Sequence, residues 1–287
     1  MTINESKDTR LFNGRIQETP LKKALRSFIN RVGNLPIIRT AVHAHVVRDT
    51  LRSRPGFKFL YRGVGHETLH PFDRAHGTET SGLVCATELP GSEHSSSDDH
   101  FHYWGSQPSS IRAAITTLPS PESFTFIDLG CGKGRSLLVA SKYPFRDIVG
   151  VELSPSLAEI ARKNAAIVAK KFPGRTPVQV EVKDACVYRF PPGNLFLYLY
   201  NPFGAEILSK VIAELEAALA AEDRDIFVAY FYPYFAECFE ASPAFKRYHE
   251  ATVPFAPEER GYGDPSDGTF IIWRGHRPNP PLSGADE

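Results

Sequence analysis

Hydrophobic and polar positions follow two alternating periods between residues 105 and 275. Short apolar runs that end at glycine, proline or acidic residues predict buried strands, and longer segments with an apolar position every three or four residues predict helices. The predicted strands are 124–129, 148–152, 178–182, 195–200, 226–231, 245–253 and 269–274, and the predicted helices are 110–117, 134–142, 156–171 and 205–220. This alternation predicts an α/β domain with a mostly parallel seven-stranded sheet, and the last two strands, which lack a long helix between them, predict an antiparallel edge hairpin.

The first hundred residues have a different pattern. Residues 20–31 and about 37–52 predict two short helices, whereas residues 55–105 are irregular and rich in glycine, histidine and serine. We therefore predict a helical N-terminal extension with a cap or lid segment at 1–104, the α/β domain at 105–275, and a disordered tail at 276–287.

Charge is unevenly distributed although the net charge is zero. Residues 1–60 contain twelve Lys or Arg side chains against four Asp or Glu, so the remainder is acidic. The basic arm is suited to nucleic acid, an anionic membrane or an acidic protein, or it packs on its own acidic domain, which is the interpretation we favour. The acidity of the predicted α/β domain argues against nucleic acid as a partner of that domain, because phosphate backbones require Lys and Arg partners.

Composition also limits the compartment and the cofactor chemistry. No apolar run approaches the roughly 20 residues of a membrane-spanning helix, and the N-terminus lacks the apolar segment of a secretory signal. The four cysteines are scattered without a Cys-x-x-Cys pair, so we expect a cytoplasmic protein without disulfides or structural zinc. The histidines and aspartates between residues 94 and 102 lie in a serine-rich loop with no ordered scaffold, and a metal site needs fixed geometry, so we expect no metal.

The strongest chemical signal is a glycine-rich turn after the first predicted strand, Asp128-Leu-Gly130-Cys131-Gly132-Lys-Gly134. Its spacing is G-x-G-x-G and not the G-x-G-x-x-G that binds a dinucleotide pyrophosphate. The glycines allow positive φ, close approach of a ligand and tight helix–strand packing, and the following helix offers free N–H groups. Asp128 disfavours a pyrophosphate and suits a ligand with an ammonium and a sulfonium, as in S-adenosylmethionine. We expect Gly130, Cys131, Gly132 and Gly134 to contact this cofactor, with Cys131 as a small packing residue and not a nucleophile.

Two further acidic residues follow the next two predicted strands. Glu152 ends the second strand, 24 residues after Asp128, where a carboxylate accepts hydrogen bonds from ribose hydroxyls. Asp184 follows the third strand and is expected to meet the adenine amino group. Their neighbours Leu153 and Ala185 are also candidate cofactor contacts.

These motifs resemble those of the class I S-adenosylmethionine-dependent methyltransferases over residues 105–275. Asp-Leu-Gly-Cys-Gly-Lys-Gly matches the first motif of that family, Gly-Val-Glu the second and Lys-Asp-Ala the third. The resemblance implies a Rossmann-like class I methyltransferase fold, S-adenosylmethionine as cofactor and methyl transfer as activity. It does not identify the methyl acceptor.

The end of the fourth predicted strand supplies the candidate catalytic residues Asn201, Pro202 and Phe203. They resemble the Asn/Asp-Pro-Pro-Tyr/Phe signature of amino- and amide-directed methyltransferases with one proline missing, and also a segment of the non-SET histone-lysine methyltransferases. We expect Pro202 to hold Asn201 extended, so that its side-chain oxygen orients an amine, and Phe203 to form a pocket wall. This resemblance implies N-methylation of an amine or amide on a small molecule or a protein side chain.

Residues 72–82, together with His102 and Tyr103, resemble the region that precedes the domain in a group of bacterial methyltransferases. Such a segment often closes over the cofactor, so Thr80 and Tyr103 are candidate cofactor contacts. Three alternatives stay open: an interaction protein that binds S-adenosylmethionine but has weak or no catalysis, an O-methyltransferase of a small metabolite, and a dehydrogenase. The sequence leaves the oligomeric state open.

Overall fold

The computed structural model describes residues 11–12, 15–16, 69–82, 84, 103–260, 262 and 267–275. The chain forms two compact units that divide after residue 68. In the first unit, strands β1 (Leu11–Phe12) and β2 (Arg15–Ile16) pair antiparallel. The predicted helices at 20–31 and 37–52 and the predicted tail at 276–287 lie outside the described residues. The predicted boundary at residue 104 stays a prediction; residues 69–82 lie in the same unit as the sheet.

The second unit contains a seven-stranded sheet. Its strands are β3 (Phe124–Leu129), β4 (Asp147–Glu152), β5 (Val178–Val182), β6 (Asn194–Tyr200), β7 (Ile226–Phe231), β8 (Phe245–Pro254) and β9 (Asp267–Gly275). The spatial order is β5-β4-β3-β6-β7-β9-β8, in which the first five are parallel and β9 runs antiparallel to both neighbours. The predicted mostly parallel sheet with an antiparallel hairpin is therefore confirmed.

Helices cover both faces of this sheet. They are α1 (Pro71–His76), α2 (Pro108–Thr116), α3 (Arg135–Ala140), α4 (Pro155–Lys171), α5 (Ala205–Ala221) and α6 (Ala236–Glu240). The α4 helix begins where the Ser154 hydroxyl accepts the N–H of Leu157, a typical N-cap. The α3 helix begins one residue later than predicted because Gly134 adopts the left-handed conformation, with φ of 84°, and it ends two residues earlier, at Ala140.

The two faces of the sheet belong to two separate hydrophobic cores. Phe126 and Tyr198 pack on the face covered by α2 and α3, whereas Ile127 and Leu129 pack on the face covered by α5. Side chains alternate between the faces along a strand, so Asp128 shares the face of Phe126. Each buried Leu, Ile or Phe side chain contributes about 1.5–3 kcal/mol to folding.

The carboxyl ends of the five parallel strands lie at one edge of the sheet. The chain leaves β3 toward β4 on one side and returns as β6 on its other side, so the strand order reverses at β3. In open α/β sheets, ligands bind in the crevice at such a reversal point. The fold therefore predicts a ligand site above the ends of β3 and β6.

Candidate functional site

The glycine-rich turn occupies the predicted ligand edge. Gly130 and Gly132 have positive φ, as predicted, and Gly134 has positive φ as well. A Cβ on Gly130 would lie 3.0 Å from Cβ of Pro202, and a Cβ on Gly132 would lie 2.2 Å from the ring of Tyr103. Because these two glycines have no side chain, the segments that contain Pro202 and Tyr103 can lie directly against the turn. Gly134 was predicted to allow a close contact between a helix and a strand, but in the structure its close neighbour is Ala161 of helix α4.

The turn folds back onto the end of β4 through its own amide groups. The amides of Gly130 and Cys131 both donate to the carbonyl oxygen of Val151, at 2.8 and 3.0 Å. The amide of Gly132 donates to Oε2 of Glu152 at 2.8 Å. Because these three donors are already paired, this part of the turn does not offer them to a phosphate group.

Asp128 is a buried carboxylate beside the turn. It is 5% exposed, and its Oδ2 accepts a hydrogen bond from the hydroxyl of Ser136 in α3. Burial, with a smaller contribution from Glu152, raises the pKa of Asp128 to about 7 although the Ser136 bond lowers it. Among the described residues no cationic side chain forms an ion pair with Asp128. The negative charge of this carboxylate is therefore available to pair with a cationic ligand.

Glu152 links the second strand end to the turn. Besides Gly132, its carboxylate accepts the N–H of Ser154 at 2.8 Å through Oε1. Burial raises the pKa of Glu152 despite these backbone hydrogen bonds. Each carboxylate oxygen has two lone pairs, so the predicted contact with ribose hydroxyls is compatible with this arrangement and stays a prediction.

Asp184 lies just beyond the end of β5 and is exposed. Its Oδ1 accepts the N–H of Cys186 at 2.8 Å and caps the short 3-10 turn that contains the buried Ala185. Leu153, at the end of the neighbouring strand, is 44% exposed. These residues combine an acceptor with an apolar surface, as a purine base requires, and their contact with adenine stays a prediction.

Asn201 does not have the predicted extended conformation. Its φ is 43°, in the left-handed region, which Asn tolerates better than most residues. The following Pro202 disfavours the right-handed helical region but does not by itself impose an extended conformation. The side chain instead accepts a 2.8 Å hydrogen bond at Oδ1 from the hydroxyl of Tyr230, which holds the residue from the neighbouring strand.

The aromatic residues around Asn201 differ in exposure. Phe203 is only 8% exposed and belongs to the hydrophobic core on the α5 face, so little of its ring is accessible from outside the core. Tyr200 meets Tyr232 edge to face at 5.5 Å, and Tyr234 is 70% exposed. Tyr232 is the second non-glycine residue with positive φ among the described residues, at the end of β7.

Residues 78–82 and 103–106 cross the glycine turn and together form what we call the strap. The hydroxyl of Tyr103 donates to the carbonyl oxygen of Thr80 at 2.8 Å. Thr80 is fully buried; its hydroxyl donates to Asp73 and accepts from Nε of Arg135, each at 2.7 Å. The hydroxyl of Thr80 is thus engaged within the protein, and the predicted contacts of Thr80 and Tyr103 with a cofactor stay predictions.

The strand order and the turn together decide the fold. A mostly parallel seven-stranded sheet carries a G-x-G-x-G turn after its first strand and acidic residues at the ends of β4 and β5. The chain has the Rossmann-like class I methyltransferase fold. No family model and no curated protein sequence matches it.

Solved structures to which this chain is similar include two methyltransferases and a methylase. A magnesium protoporphyrin IX methyltransferase from Synechocystis PCC 6803 with bound SAM is 11% identical, with 58% of this chain and 76% of that chain covered and a TM-score of 0.42. An RNA methyltransferase from Salinibacter ruber in complex with S-adenosyl-L-homocysteine is 18% identical, with 62% and 95% covered and a TM-score of 0.39. A ribosomal protein L11 methylase from Lactobacillus delbrueckii subsp. bulgaricus is 18% identical, with 58% and 77% covered and a TM-score of 0.39.

Three residues of this candidate site, Ser136, Asp73 and Arg135, were not found from the sequence. Ser136 is a single hydroxyl in an otherwise apolar stretch of α3, a pattern that could have indicated a polar partner for Asp128. Tyr230 belongs to a conspicuous aromatic run, but no pattern indicates that its hydroxyl contacts Asn201. Asp73 and Arg135 are ordinary first-turn residues in sequence, and only the folded chain brings them together.

The described part of the chain contains no group of three or more His, Cys, Asp or Glu side chains that could hold a metal ion. None of the helices in the described part of the chain has the length and apolar composition that a membrane-spanning helix requires.

Cys131 is a buried free thiol whose Sγ would lie 2.7 Å from a Cβ on Gly150. Burial raises the pKa of Cys131, which suits a packing residue and not a nucleophile.

Proposed function

We propose that this chain is a methyltransferase that binds S-adenosylmethionine at the glycine turn and transfers its methyl group to a nitrogen atom. The observation that carries the proposal is Asp128, a buried carboxylate at the turn without an ion-pair partner among the described residues. A buried ionised carboxylate is stable only when it is paired, and a cationic ligand supplies the missing partner.

The same geometry favours S-adenosylmethionine over a nicotinamide dinucleotide. A pyrophosphate needs free backbone donors, whereas the amides of Gly130, Cys131 and Gly132 are already bound within the protein. The turn is flanked by the carboxylates of Asp128 and Glu152, which repel phosphate and attract the ammonium group. A dehydrogenase function therefore has less support.

The part of the site that would bind the methyl acceptor contains Asn201, a residue suited to orienting the acceptor nitrogen. S-adenosylmethionine, when bound, provides a methyl group on a sulfonium that is already activated for in-line displacement. Asn201, held by Tyr230, has a further lone pair on Oδ1 with which it can accept an N–H from the acceptor. That bond would turn the nitrogen lone pair toward the methyl group. Pro202 and Phe203, which follow Asn201, lie next to Gly130 of the turn.

A neutral amine or amide on a small molecule or on a protein side chain fits this arrangement. The proposal includes no strong general base, because the reaction depends on positioning and on the exclusion of water. An O-methyltransferase acting on a small metabolite would leave the same cofactor site and a different labelled product. A binding protein without catalysis would retain the cofactor without transfer to any acceptor.

Calorimetric titration with S-adenosylmethionine and S-adenosylhomocysteine tests the cofactor assignment. We expect binding by the wild-type protein and at least a tenfold loss, about 1.4 kcal/mol, in Asp128→Asn. The matched control is Asp225→Asn, because Asp225 lies before β7 at the opposite end of the sheet and pairs with Arg274. Equal affinities of wild type and Asp128→Asn would contradict the cofactor site.

Transfer of a labelled methyl group into fractionated lysate then tests the acceptor side. Asn201→Ala is expected to bind S-adenosylmethionine like the wild type and to transfer the label more slowly. Chemical analysis of the labelled product distinguishes nitrogen from oxygen as the methylated atom. Normal transfer by Asn201→Ala would exclude the proposed role of Asn201.

A further inference from the structure

Asp73 is a buried anionic centre beneath the strap. It is 1% exposed, and its Oδ1 accepts the hydroxyls of Thr78 and Thr80, both at 2.7 Å, and the amide of Thr80 at 2.9 Å. Its Oδ2 accepts the hydroxyl of Ser81. Burial alone would raise the pKa of Asp73, but these hydrogen bonds and the positive charge of Arg135 outweigh it and lower the pKa. The strap is therefore organised around an ionised carboxylate.

Arg135 connects this centre to the glycine turn. It is the first residue of α3 and is 4% exposed. Its guanidinium donates to the hydroxyl and to the carbonyl oxygen of Thr80, at 2.7 and 2.8 Å, and to the carbonyl oxygens of Gly105 and Ser106, at 3.0 and 3.3 Å. Nη2 also lies 3.9 Å from Oδ2 of Asp73. One side chain thus joins both pieces of the strap to the turn.

Two neighbouring side chains support the same contact. Nζ of Lys133 donates to the carbonyl oxygen of Ser81 at 2.8 Å and lies 5.6 Å from the ring centroid of Tyr103. Asn164 of α4 accepts the amide of Glu79 and donates to its carbonyl oxygen. The strap is consequently fastened to the turn residues themselves and to the helix that packs against them.

We propose that Arg135 is a positioning residue that holds the strap, and with it Tyr103, against Gly132, and thereby slows the exchange of S-adenosylmethionine and S-adenosylhomocysteine. The effect on ligand exchange rests on the proposed function. The planar guanidinium satisfies several acceptors at fixed angles, which the single ammonium of lysine cannot reproduce. Loss of the guanidinium group leaves buried carbonyl groups without hydrogen-bond donors and weakens the attachment of the strap to the turn.

The test compares Arg135→Lys with Arg224→Lys. Arg224 is a matched control because its side chain is 5% exposed and donates to the carbonyl oxygens of Pro191 and Gly193, yet it lies at the opposite end of the sheet. Two properties are measured: the dissociation rate of S-adenosylhomocysteine by stopped-flow displacement, and acrylamide quenching of tryptophan fluorescence. Quenching reports on Trp104 of the strap, since the other tryptophan, Trp273, is 1% exposed.

In Arg135→Lys we expect dissociation to be about tenfold faster, the change produced by the loss of one charge-assisted hydrogen bond, and quenching of Trp104 to increase. In Arg224→Lys both properties are expected to stay within about twofold of the wild type, even if its thermal stability falls equally. Equal dissociation and quenching in the two variants would overturn the proposal and give Arg135 a purely structural role.

Tyr103→Phe provides a milder second variant if Arg135→Lys fails to fold. It removes only the hydroxyl that bonds to Thr80 and should accelerate dissociation by about threefold, and an unchanged rate would count against the strap as a retaining element. If the wild-type protein bound neither ligand, the proposed function and the effect on exchange would both be overturned. Trp104 quenching in the ligand-free variants would then still decide whether Arg135 holds the strap.

Discussion

The hydroxyl of Tyr230 donates a 2.8 Å hydrogen bond to the side-chain oxygen of Asn201 across the ends of β6 and β7. Tyr230 is fully buried, so the position of this hydroxyl is fixed by the core. The left-handed backbone of Asn201, with φ of 43°, gives its side chain a direction that an extended residue would not have. The orientation of the candidate acceptor-binding amide therefore depends on the neighbouring strand and not on Pro202.

Tyr230→Phe is expected to slow methyl transfer by about two- to tenfold without changing the affinity for S-adenosylmethionine. The variant removes one neutral hydrogen bond, which contributes about 0.5–1.5 kcal/mol, and leaves the ring in the core. Labelled-methyl transfer into the responsive lysate fraction measures the rate, and calorimetry measures the affinity. Tyr188→Phe, another buried tyrosine of the same core, is the control and should transfer normally. Normal transfer by Tyr230→Phe would show that Asn201 does not need this bond.

The affinity for S-adenosylmethionine is expected to rise with pH as Asp128 ionises. The pKa of Asp128 is about 7, so at pH 6 most of the free protein carries a protonated carboxyl that must lose its proton before it can pair with a cation. Binding should strengthen by about tenfold between pH 6 and pH 8 and then level off. Calorimetry at constant ionic strength measures this slope. The slope should disappear in Asp128→Asn and persist in Asp225→Asn; a slope that remains in Asp128→Asn would point to Glu152.

The stability of the ligand-free protein should change with pH in the opposite direction. Because the folded-state pKa of Asp128 is raised above its usual value of 3.8, the stabilising contribution of the protonated form is fully present below about pH 4 and is lost as pH rises through about 7. Asp128→Asn removes this penalty. Between pH 5 and pH 8 the free energy of unfolding of Asp128→Asn should gain at most about 3 kcal/mol relative to the wild type, measured by urea unfolding at both pH values. Equal differences at the two pH values would mean that Asp128 does not titrate in this range.

The sheet could be predicted from sequence because its strands are buried apolar runs with clear ends. The predicted bounds of β3, β5 and β7 agree with the structure, and the turn after β3 has the predicted positive φ at Gly130 and Gly132. The acidic residues at the strand ends follow from the same pattern. The strand bounds, the glycine turn and the acidic strand ends could be predicted because each depends on residues that are close together in the sequence.

The contacts between distant segments could not be predicted in the same way. Arg135 and Asp73 are 62 positions apart in sequence, and neither belongs to a repeating pattern that would relate them. The expected contacts of Thr80 and Tyr103 with a cofactor stay predictions, and their contacts with Arg135 and the glycine turn could not be predicted from the sequence. Asn201 was expected to be extended because the rule for residues before proline is local, while the bond from Tyr230 is not.

Gly132→Ala tests whether the turn and the strap depend on each other. A Cβ at this position would lie 2.2 Å from the ring of Tyr103, and the φ of 53° is unfavourable for alanine. The two effects should lower the free energy of unfolding by about 1–3 kcal/mol and displace Tyr103, which increases acrylamide quenching of the adjacent Trp104. Gly174→Ala is the control, because nothing lies within 4 Å of a Cβ there, and it should change stability by less than about 0.5 kcal/mol. A destabilised Gly132→Ala with unchanged Trp104 quenching would mean that the strap is held by Arg135 and Lys133 without any help from the contact between Tyr103 and Gly132.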